Sequence, residues 1–357
     1  MRQTILFLTL AVSLAACSQP TTPADGTLYG AAFQPTAGAH LSAASTTNGQ
    51  RIWSDGQRMW SDSFRMWSDG QRMWSDGQRM WSDGTFQPAP DNTAAFRLIG
   101  LDRAQARAPR LGAGVTVAII DTGVDADHPV LRGSVTGGHD YLRDLDDGAE
   151  GGRDGDPAYG HGTAVASMVL QVAPDAKLLS MRVIGPDGSG SEADVARAIR
   201  DAADRGANII NLSVSGAAPN GGVRAAIVDV TRRGVLVVGS AGNTGAPRPE
   251  APAVQMAQPD PAGERALSVS GTDNAGTLTA WTNRGSEVNA PGVALTAAYP
   301  DGRAVHATGT SFSAPLVSGT LALALGQGAR PADLADELKD ATRDGLLDAA
   351  TLLSNLH

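Results

Sequence analysis

Hydrophobic and polar positions follow two alternating patterns from about residue 96 to the end of the chain. Short continuous apolar runs, such as Val115–Ile120, are typical of strands that are buried on both faces of a parallel sheet. Longer segments with apolar residues three and four apart, such as Ser191–Arg205, predict amphipathic helices. Because strands and helices alternate, the pattern predicts an α/β fold in which a mostly parallel sheet carries helices on both faces.

Capping residues support the clearest of these helices. Ser191 is a favoured N-cap residue, and Gly206 is a favoured residue just past a helix end. The remaining predicted strands are Lys177–Val183, Ala207–Ser213 and Val235–Gly239. The remaining predicted helices are Gly162–Gln171, Val223–Arg233, Ser311–Leu325 and Pro331–Ala341.

The first residues have the pattern of an export signal. A positive start, Met1-Arg2-Gln3, precedes the apolar run Ile5–Ala16, which is too short for a lasting membrane span. Leu14-Ala15-Ala16-Cys17 resembles the lipobox of bacterial lipoproteins, with an ordinary signal peptide as the alternative. The resemblance implies a signal peptide over 1–16, lipid on Cys17, and a membrane-anchored protein of the bacterial cell envelope.

Two segments of unusual composition follow Cys17. Residues 18–50 are rich in Ala, Thr, Ser, Gly and Pro, which predicts a lipid-anchored tether over 17–50. A seven-residue unit, WSDGQRM, then recurs from Trp53 to about Gly84 and contains five of the six tryptophans. We place this repeat region and a linker in 51–95, ahead of a domain over 96–357.

The repeat has a turn signal inside each unit. Asp-Gly favours a two-residue hairpin turn, which leaves strands of five residues and predicts a β-meander. In its first hairpin the predicted cross-strand pairs are Ser54–Gln57, Trp53–Arg58 and Ile52–Met59. A disordered low-complexity linker is an equal alternative. Trp and Arg on one face would suit docking to a glycan or to another envelope surface.

Composition narrows the class of partner. The net charge of −9 argues against nucleic acid, because phosphate binding needs clustered Lys and Arg. The single cysteine excludes an intrachain disulfide framework. With 42% hydrophobic residues, the chain can bury a sizeable core.

Four short strings carry candidate chemistry. VAIIDTGVD contains Asp121, GHGTAVAS contains His161, GTSFSAP contains Ser311, and GSAGN ends on Asn243. A serine nucleophile needs a base, a residue that orients the base, and a donor to the oxyanion. Each string alone also fits a plain turn or helix cap. Their joint occurrence, each beside a predicted strand or helix end, favours a catalytic site.

These strings make the chain similar to the subtilisin-like serine peptidases, or subtilases, from about residue 96 to 353. The resemblance implies a serine endopeptidase that hydrolyses peptide bonds through an acyl-enzyme. Asp121, His161 and Ser311 would form its triad, and Asn243 would serve the oxyanion. It further implies that the substrate main chain lies between two segments. They comprise Gly188, Ser189 and Gly190, and Ser213, Val214, Ser215 and Gly216.

The sequence departs from the family pattern in three places. Ala164 stands where a second His is usual, Leu316 stands where His is common, and residues 18–95 contain no recognisable folded pro-domain. The chemistry implied by the resemblance requires no cofactor, and we predict no metal site. Asp140–Asp156 contains seven acidic residues and is predicted as a solvated surface loop, with a structural calcium site as the alternative.

Overall fold

The computed structural model describes residues 92–356, apart from 155, 217–220 and 257–264, and the backbone of five short strands ahead of residue 92. The predicted signal peptide and Cys17 lie outside these described residues. Within the described part, no helix is both long enough and apolar enough to cross a membrane.

Strands and helices alternate along the chain, as the sequence pattern predicts. The five N-terminal strands are β1 (Thr27–Gly30), β2 (Gln50–Ile52), β3 (Arg58–Ser61), β4 (Arg72–Ser75) and β5 (Gln78–Trp81). The later strands are β6 (Thr116–Asp121), β7 (Val135–Asp140), β8 (Lys177–Arg182), β9 (Ser189–Ser191), β10 (Ile209–Leu212), β11 (Val214–Ser215), β12 (Leu236–Ser240), β13 (Ala266–Thr272), β14 (Val288–Pro291), β15 (Leu295–Tyr299) and β16 (Arg303–Ala307). The helices are α1 (Thr93–Leu98), α2 (Leu101–Arg107), α3 (His161–Val172), α4 (Glu192–Asp204), α5 (Gly221–Arg232), α6 (Ala253–Met256), α7 (Thr310–Gly326), α8 (Pro331–Asp340) and α9 (Ala349–Asn355).

A seven-stranded sheet forms the centre of the domain. Its order is β14-β13-β12-β10-β6-β8-β7, and all neighbouring strands are parallel. Alternate residues of β6 enter different cores: Val117 and Ile119 pack with α3 and α7, whereas Ala118 and Ile120 pack with α4 and α5. Because both faces are covered, the strand is apolar without interruption. The predicted α/β fold with helices on both faces is confirmed.

The strand order reverses direction beside β6. The chain passes from β6 to the edge strand β7, returns through α3 to β8, and then crosses through α4 to β10 on the opposite side of β6. In open α/β sheets, such a reversal leaves a crevice beyond the carboxyl ends of the two adjacent strands. The carboxyl ends of β6 and β10 are therefore where the topology places a site.

Residues before the predicted domain boundary at 96 belong to the folded core. Asn92 is buried, and its amide nitrogen donates to Gln171 Oε1 at 2.8 Å and to the Thr296 carbonyl at 2.9 Å. Helix α1 begins at Thr93, and Phe96 is buried within it. The compact domain thus includes residues from 92 onward.

The repeat strands form two separate pairs. In β4 and β5, Met73 faces Met80, Trp74 faces Arg79 and Ser75 faces Gln78. In β2 and β3 the register shifts after Arg51, so Ile52 faces Arg58, and the predicted Trp53–Arg58 and Ile52–Met59 pairs are wrong. The shift accounts for the difference, because a one-residue slip changes every later partner.

The predicted tether contains a strand. Residues 27–30 form β1, the middle strand of a small sheet with order β11-β1-β9. The composition of the tether gives no strand signal, so this pairing is a finding of the structure.

Candidate active site

Asp121 and His161 lie side by side at the carboxyl edge of the sheet. Asp121 is the last residue of β6, and His161 is the first residue of α3; both are buried. His161 Nδ1 lies 2.7 Å from Asp121 Oδ1, which also accepts from the Thr122 N–H at 2.8 Å. Because an ionised carboxylate only accepts, Nδ1 carries the proton and Nε2 is left as the basic nitrogen.

Two glycines let α3 start at this position. Gly160 precedes His161 with φ 84°, and a Cβ on it would lie 2.6 Å from the Tyr299 ring. Gly162 packs so closely against the end of β6 that a Cβ there would lie 2.2 Å from the Gly123 carbonyl oxygen. The Gly-His-Gly string therefore brings the imidazole within reach of Asp121.

Ser311 lies in the first turn of α7 and is buried. The ring of Phe312, the next residue, is 5.5 Å from the His161 ring, centroid to centroid. Ser311 Oγ lies 3.5 Å from the Ser213 carbonyl, and Ser213 Oγ donates to the Ser311 carbonyl at 2.9 Å. A first-turn N–H has no acceptor within the helix, so the Ser311 N–H can serve a developing oxyanion.

The orientation of Asn243 follows from its neighbours. Its Oδ1 accepts from the Thr310 N–H at 2.9 Å and from Thr310 Oγ1 at 3.0 Å. Since a backbone N–H can only donate, the side-chain oxygen must face Thr310, and the NH₂ group is left for another acceptor. Asn243 follows β12, so it reaches this edge of the sheet from a third strand.

The predicted substrate segments form or flank two short strands, and Ser213, next to the second strand, contacts Ser311. Gly188 precedes β9, which contains Ser189 and Gly190. Ser213 precedes β11, which contains Val214 and Ser215, and Gly216 bridges to Ala251 beyond it. Strands β9 and β11 are not direct neighbours in the sheet, because β1 lies between them.

Sequence reasoning missed one group at this site. The Glu150 carboxylate accepts from Thr163 Oγ1 at 2.8 Å and from the Thr163 N–H at 3.3 Å, beside the start of α3. Burial raises the Glu150 pKa to about 8, and the negative charge of Asp121 contributes to the rise. Glu150 is one of seven acidic residues in its loop, and the sequence gives no signal that its carboxyl group is enclosed. Only the folded structure shows that enclosure.

Other acidic residues of that loop contact cations of the protein. Asp140 is buried against Arg182 at 2.8 Å and Arg143 at 2.5 Å, Asp146 contacts Arg205 at 2.8 Å, and Asp154 contacts Arg303. Despite burial, these arginines hold the Asp140 pKa below its ordinary value. In the described ranges no three His, Cys, Asp or Glu side chains cluster as metal ligands would.

The two departures from the family motif are apolar core positions here. Ala164 and Leu316 are fully buried, in α3 and α7 respectively, and belong to the same hydrophobic core. A histidine at either position would need a buried hydrogen-bonding partner.

Comparisons with known proteins identify the family of the chain. A model of the subtilase family matches residues 112–353, which is more than half of the chain. Thermitase from Thermoactinomyces vulgaris is 35% identical over 229 residues, covering 61% of this chain and 77% of its own length. Subtilisin Savinase from Lederbergia lenta is 34% identical over 239 residues, covering 63% of this chain and 82% of its own length. An alkaline protease from Alkalihalobacillus alcalophilus is 34% identical over 239 residues, covering 63% of this chain and 58% of its own length. The chain therefore belongs to the subtilase family and is a serine endopeptidase.

Proposed function

We propose that Ser311, His161 and Asp121 form the nucleophile, base and orienting acid of this endopeptidase. The observation that carries the proposal is the 2.7 Å contact between Asp121 Oδ1 and His161 Nδ1, at the edge where α7 begins. The contact fixes the imidazole tautomer that a base needs, and the carboxylate stabilises the imidazolium that forms.

The reaction proceeds in two acyl transfers. His161 Nε2 removes the Ser311 Oγ proton as Oγ attacks the peptide carbonyl carbon, and the oxyanion is bound by the Asn243 NH₂ group and the Ser311 N–H. His161 then donates the proton to the leaving amine, which leaves an acyl-enzyme. Water, activated by His161, hydrolyses the ester and restores Ser311. Residues of the chain perform every step, so the chemistry requires no cofactor.

The substrate is a polypeptide in an extended conformation. Its main chain pairs with Ser189 and Gly190 on one side and with Val214 and Ser215 on the other. Gly188, Ser213 and Gly216 flank these positions. Main-chain pairing tolerates many side chains, so recognition depends only partly on substrate sequence.

Covalent labelling tests the assignment of the nucleophile. A fluorophosphonate probe is expected to label the wild type and to leave Ser311→Ala unlabelled. Ser313→Ala is the matched control, because Ser313 lies two residues further along the same buried helix. Labelling of folded Ser311→Ala, or loss of labelling in Ser313→Ala alone, would contradict the assignment.

We also propose that the chain is exported and held at the bacterial cell envelope by lipid on Cys17. The support is the apolar run that ends in Leu14-Ala15-Ala16 and the position of the single cysteine directly after it. The mature wild type should begin at Cys17 with an added lipid mass and partition into the membrane fraction. Cys17→Ser should lose the lipid mass; an unmodified wild type would exclude the anchor.

A second role at the envelope concerns the repeats. Trp74 faces Arg79 and Arg72 faces Trp81 across β4 and β5, so this pairing places aromatic and cationic residues at neighbouring positions. We propose that the repeats dock to glycan or another surface of the envelope. Deletion of residues 51–84 should reduce retention on cell-wall material and leave peptidase activity unchanged. Equal retention of both proteins would exclude docking.

A further inference from the structure

A buried hydrogen-bond network connects helix α7 with the end of β10 and leads to the proposed nucleophile. Ser318 Oγ donates to Asn211 Oδ1 at 2.9 Å, and Asn211 Nδ2 donates to Ser213 Oγ at 2.9 Å. Ser213 Oγ in turn donates to the Ser311 carbonyl at 2.9 Å. All four residues are buried. The network begins and ends on α7, because Ser318 and Ser311 both belong to that helix.

The carbonyl at one end fixes the direction of every hydrogen bond in this network. A carbonyl oxygen only accepts, so the single hydroxyl hydrogen of Ser213 must be directed at Ser311. Ser213 Oγ must then accept from Asn211, whose NH₂ group has to face it. The amide oxygen of Asn211 is thereby turned toward Ser318, which has to donate to it. One ordered arrangement of hydrogens therefore satisfies all of these contacts.

Pro315 explains why the Ser311 carbonyl accepts from outside its own helix. In a regular α-helix this carbonyl would accept from the N–H of the residue four positions later, which is position 315. Proline has no N–H, and Pro315 lies inside α7, so that bond cannot form. Ser213 Oγ supplies a donor at 2.9 Å in its place. The turn that carries Ser311 is thus held from the end of β10.

The network lies at positions that the strand and helix patterns would otherwise fill with apolar side chains. Ile209 and Asn211 share one face of β10, and Ile209 packs in the core with α3 and α7. Ser311 and Ser318 are about two turns apart and share one face of α7. Polar groups in an apolar core are costly unless each is paired. Here each has a partner, and the pairing ends on the Ser311 carbonyl.

We propose that Asn211 and Ser318 are positioning residues that act through Ser213. They hold the Ser311 carbonyl that Pro315 leaves without its helix bond, and so keep the Ser311 Oγ and N–H in place for the reaction. Ser213 also borders the nucleophile directly, since Ser311 Oγ lies 3.5 Å from the Ser213 carbonyl. The proposal rests on the proposed role of Ser311 as nucleophile.

Ser318→Ala tests the far end of the network in the full chain. Without the Ser318 donor the Asn211 amide can rotate, and its bond to Ser213 is weakened. A misplacement of about 1 Å costs about 10²-fold in rate, so a smaller loosening should lower kcat about tenfold at unchanged KM. The rate of labelling by the fluorophosphonate probe should fall by the same factor. Wild-type kcat and labelling in folded Ser318→Ala would overturn the proposal.

Thr320→Val is the matched control on the same helix. Thr320 is buried, and its Oγ1 donates to the Leu316 carbonyl at 2.8 Å, so this change also removes one buried hydroxyl group from α7. The lost bond does not lead to Ser311. Thr320→Val should keep the kcat of the wild type, whatever its thermal midpoint. Equal losses of kcat in the two variants would mean that both act by destabilising α7, which contradicts positioning.

Pro315→Ala provides a rescue that a purely structural role would not show. Alanine restores the N–H four positions after Ser311, so the helix itself can hold the Ser311 carbonyl. In the Pro315→Ala background, Ser318→Ala should cost less than about twofold in kcat, compared with about tenfold in the wild-type background. An equal loss in both backgrounds would overturn the link between the network and this carbonyl.

A nuclear magnetic resonance signal that needs no catalysis separates this proposal from the peptidase function. Isotope labels at serine carbonyl carbons and phenylalanine nitrogens select the two Ser-Phe peptide bonds of the chain, Ser63–Phe64 and Ser311–Phe312. The Ser311 carbonyl shift reports the hydrogen bond to its oxygen, so it should move in Ser318→Ala and stay in Thr320→Val. An unmoved shift in Ser318→Ala overturns the positioning role even in an active protein. A moved shift supports it even if the probe labels no protein, a result that would instead remove Ser311 as nucleophile.

Discussion

In the proposed mechanism, Asn243 is held through its amide oxygen and donates its NH₂ group to the oxyanion. Its oxygen accepts two hydrogen bonds from Thr310, at 2.9 and 3.0 Å, so its NH₂ group is preorganised before substrate arrives. Asn243→Ala should lower kcat about 10²–10³-fold, because one oxyanion donor is lost. Initial rates at saturating peptide measure this loss.

A matched control for Asn243 lies at the opposite edge of the sheet. Asn208 Oδ1 accepts from the Thr116 N–H at 2.8 Å, near the amino ends of β6 and β10. Asn208→Ala removes a comparable hydrogen bond and should leave kcat unchanged. Equal losses in both variants would mean that Asn243 stabilises the fold instead of the oxyanion.

Glu150 connects the two segments that hold the Asp121–His161 pair. Its carboxylate is bonded to Thr163, whose Oγ1 accepts from the Asp125 N–H at 2.9 Å. Thr122, in the loop that follows β6, accepts from the Gly162 N–H at 2.9 Å. Hydrogen bonds therefore connect the loop after β6 and the start of α3 near one enclosed carboxyl group.

The raised pKa of Glu150 makes stability depend on pH. In the folded chain burial raises this pKa from 4.5 to about 8, so the folded state retains a proton that the unfolded state has released. The free energy of unfolding therefore falls as pH rises from about 4.5 to about 8 and is level above that. Glu150→Gln removes this fall.

The stability difference between Glu150→Gln and the wild type is the quantity to measure. As the pH rises from 5 to 9, the free energy of unfolding of Glu150→Gln should increase relative to that of the wild type by up to about 4 kcal/mol. Denaturant unfolding at both pH values gives it directly. Glu337→Gln, on α8, is the control and should show no such trend. A difference independent of pH would mean that Glu150 is ionised in the folded protein throughout this range.

At the scale of elements, helix α3 depends on its close approach to β6. A Cβ on Gly162 would lie 2.2 Å from the Gly123 carbonyl oxygen and 3.1 Å from the Asp121 Cβ. Because the backbone at this contact cannot move apart without a cost in free energy, Gly162→Ala should lower the free energy of unfolding by about 1–3 kcal/mol. It should also lower kcat, because His161 moves away from Asp121.

Helix α5 offers the control for this substitution. A Cβ on Gly221 would have no heavy atom of the described residues within 4 Å beyond its chain neighbours, so Gly221→Ala adds a methyl group in open space. Its stability and kcat should equal those of the wild type. If Gly162→Ala also behaves like the wild type, the approach of α3 to β6 is looser than the structure has it.

Elements with a strong pattern could be predicted from the sequence, and those without one could not. The continuous apolar run around β6 and the Ser191 cap of α4, which accepts from the Asp194 N–H at 3.1 Å, carry local signals. Strand β7 reads VTGGHD and owes its place to pairing with β8. Strand β1 likewise exists only through its long-range partners, which no local pattern encodes.

The candidate site likewise contains residues that could be predicted from the sequence and residues that could not. Asp121, His161, Ser311 and Asn243 stand in glycine-rich strings at element ends, so their types and order show in the sequence. Glu150 and its threonine partners depend on how a loop folds over the start of α3. Whether distant segments enclose a side chain depends on tertiary packing, which the composition of the loop does not predict.

At the scale of the molecule, the domain depends on residues ahead of the family match. Helices α1 and α2 precede residue 112, yet Phe96, Ile99 and Leu101 are buried in the main core. The Ile99 carbonyl accepts from the Ala349 N–H at 2.9 Å, so these helices hold α9 in place. Gln105 Nε2 donates to the Val172 carbonyl at 2.9 Å, at the end of α3.

Two truncated chains test whether this segment is part of the folding unit. A chain of residues 90–357 retains every described contact of α1 and α2 and loses only the pairing of the short strands β1 to β5, so its thermal midpoint should lie close to that of the full chain. A chain of residues 112–357 should lose several kcal/mol of stability, at about 1.5–3 kcal/mol for each of the three large buried side chains removed. Its peptidase activity should fall with the folded fraction, because α3 packs at one end on Gln105 and presents His161 at the other. Equal midpoints for the two truncated chains would show that the family match alone delimits the folding unit.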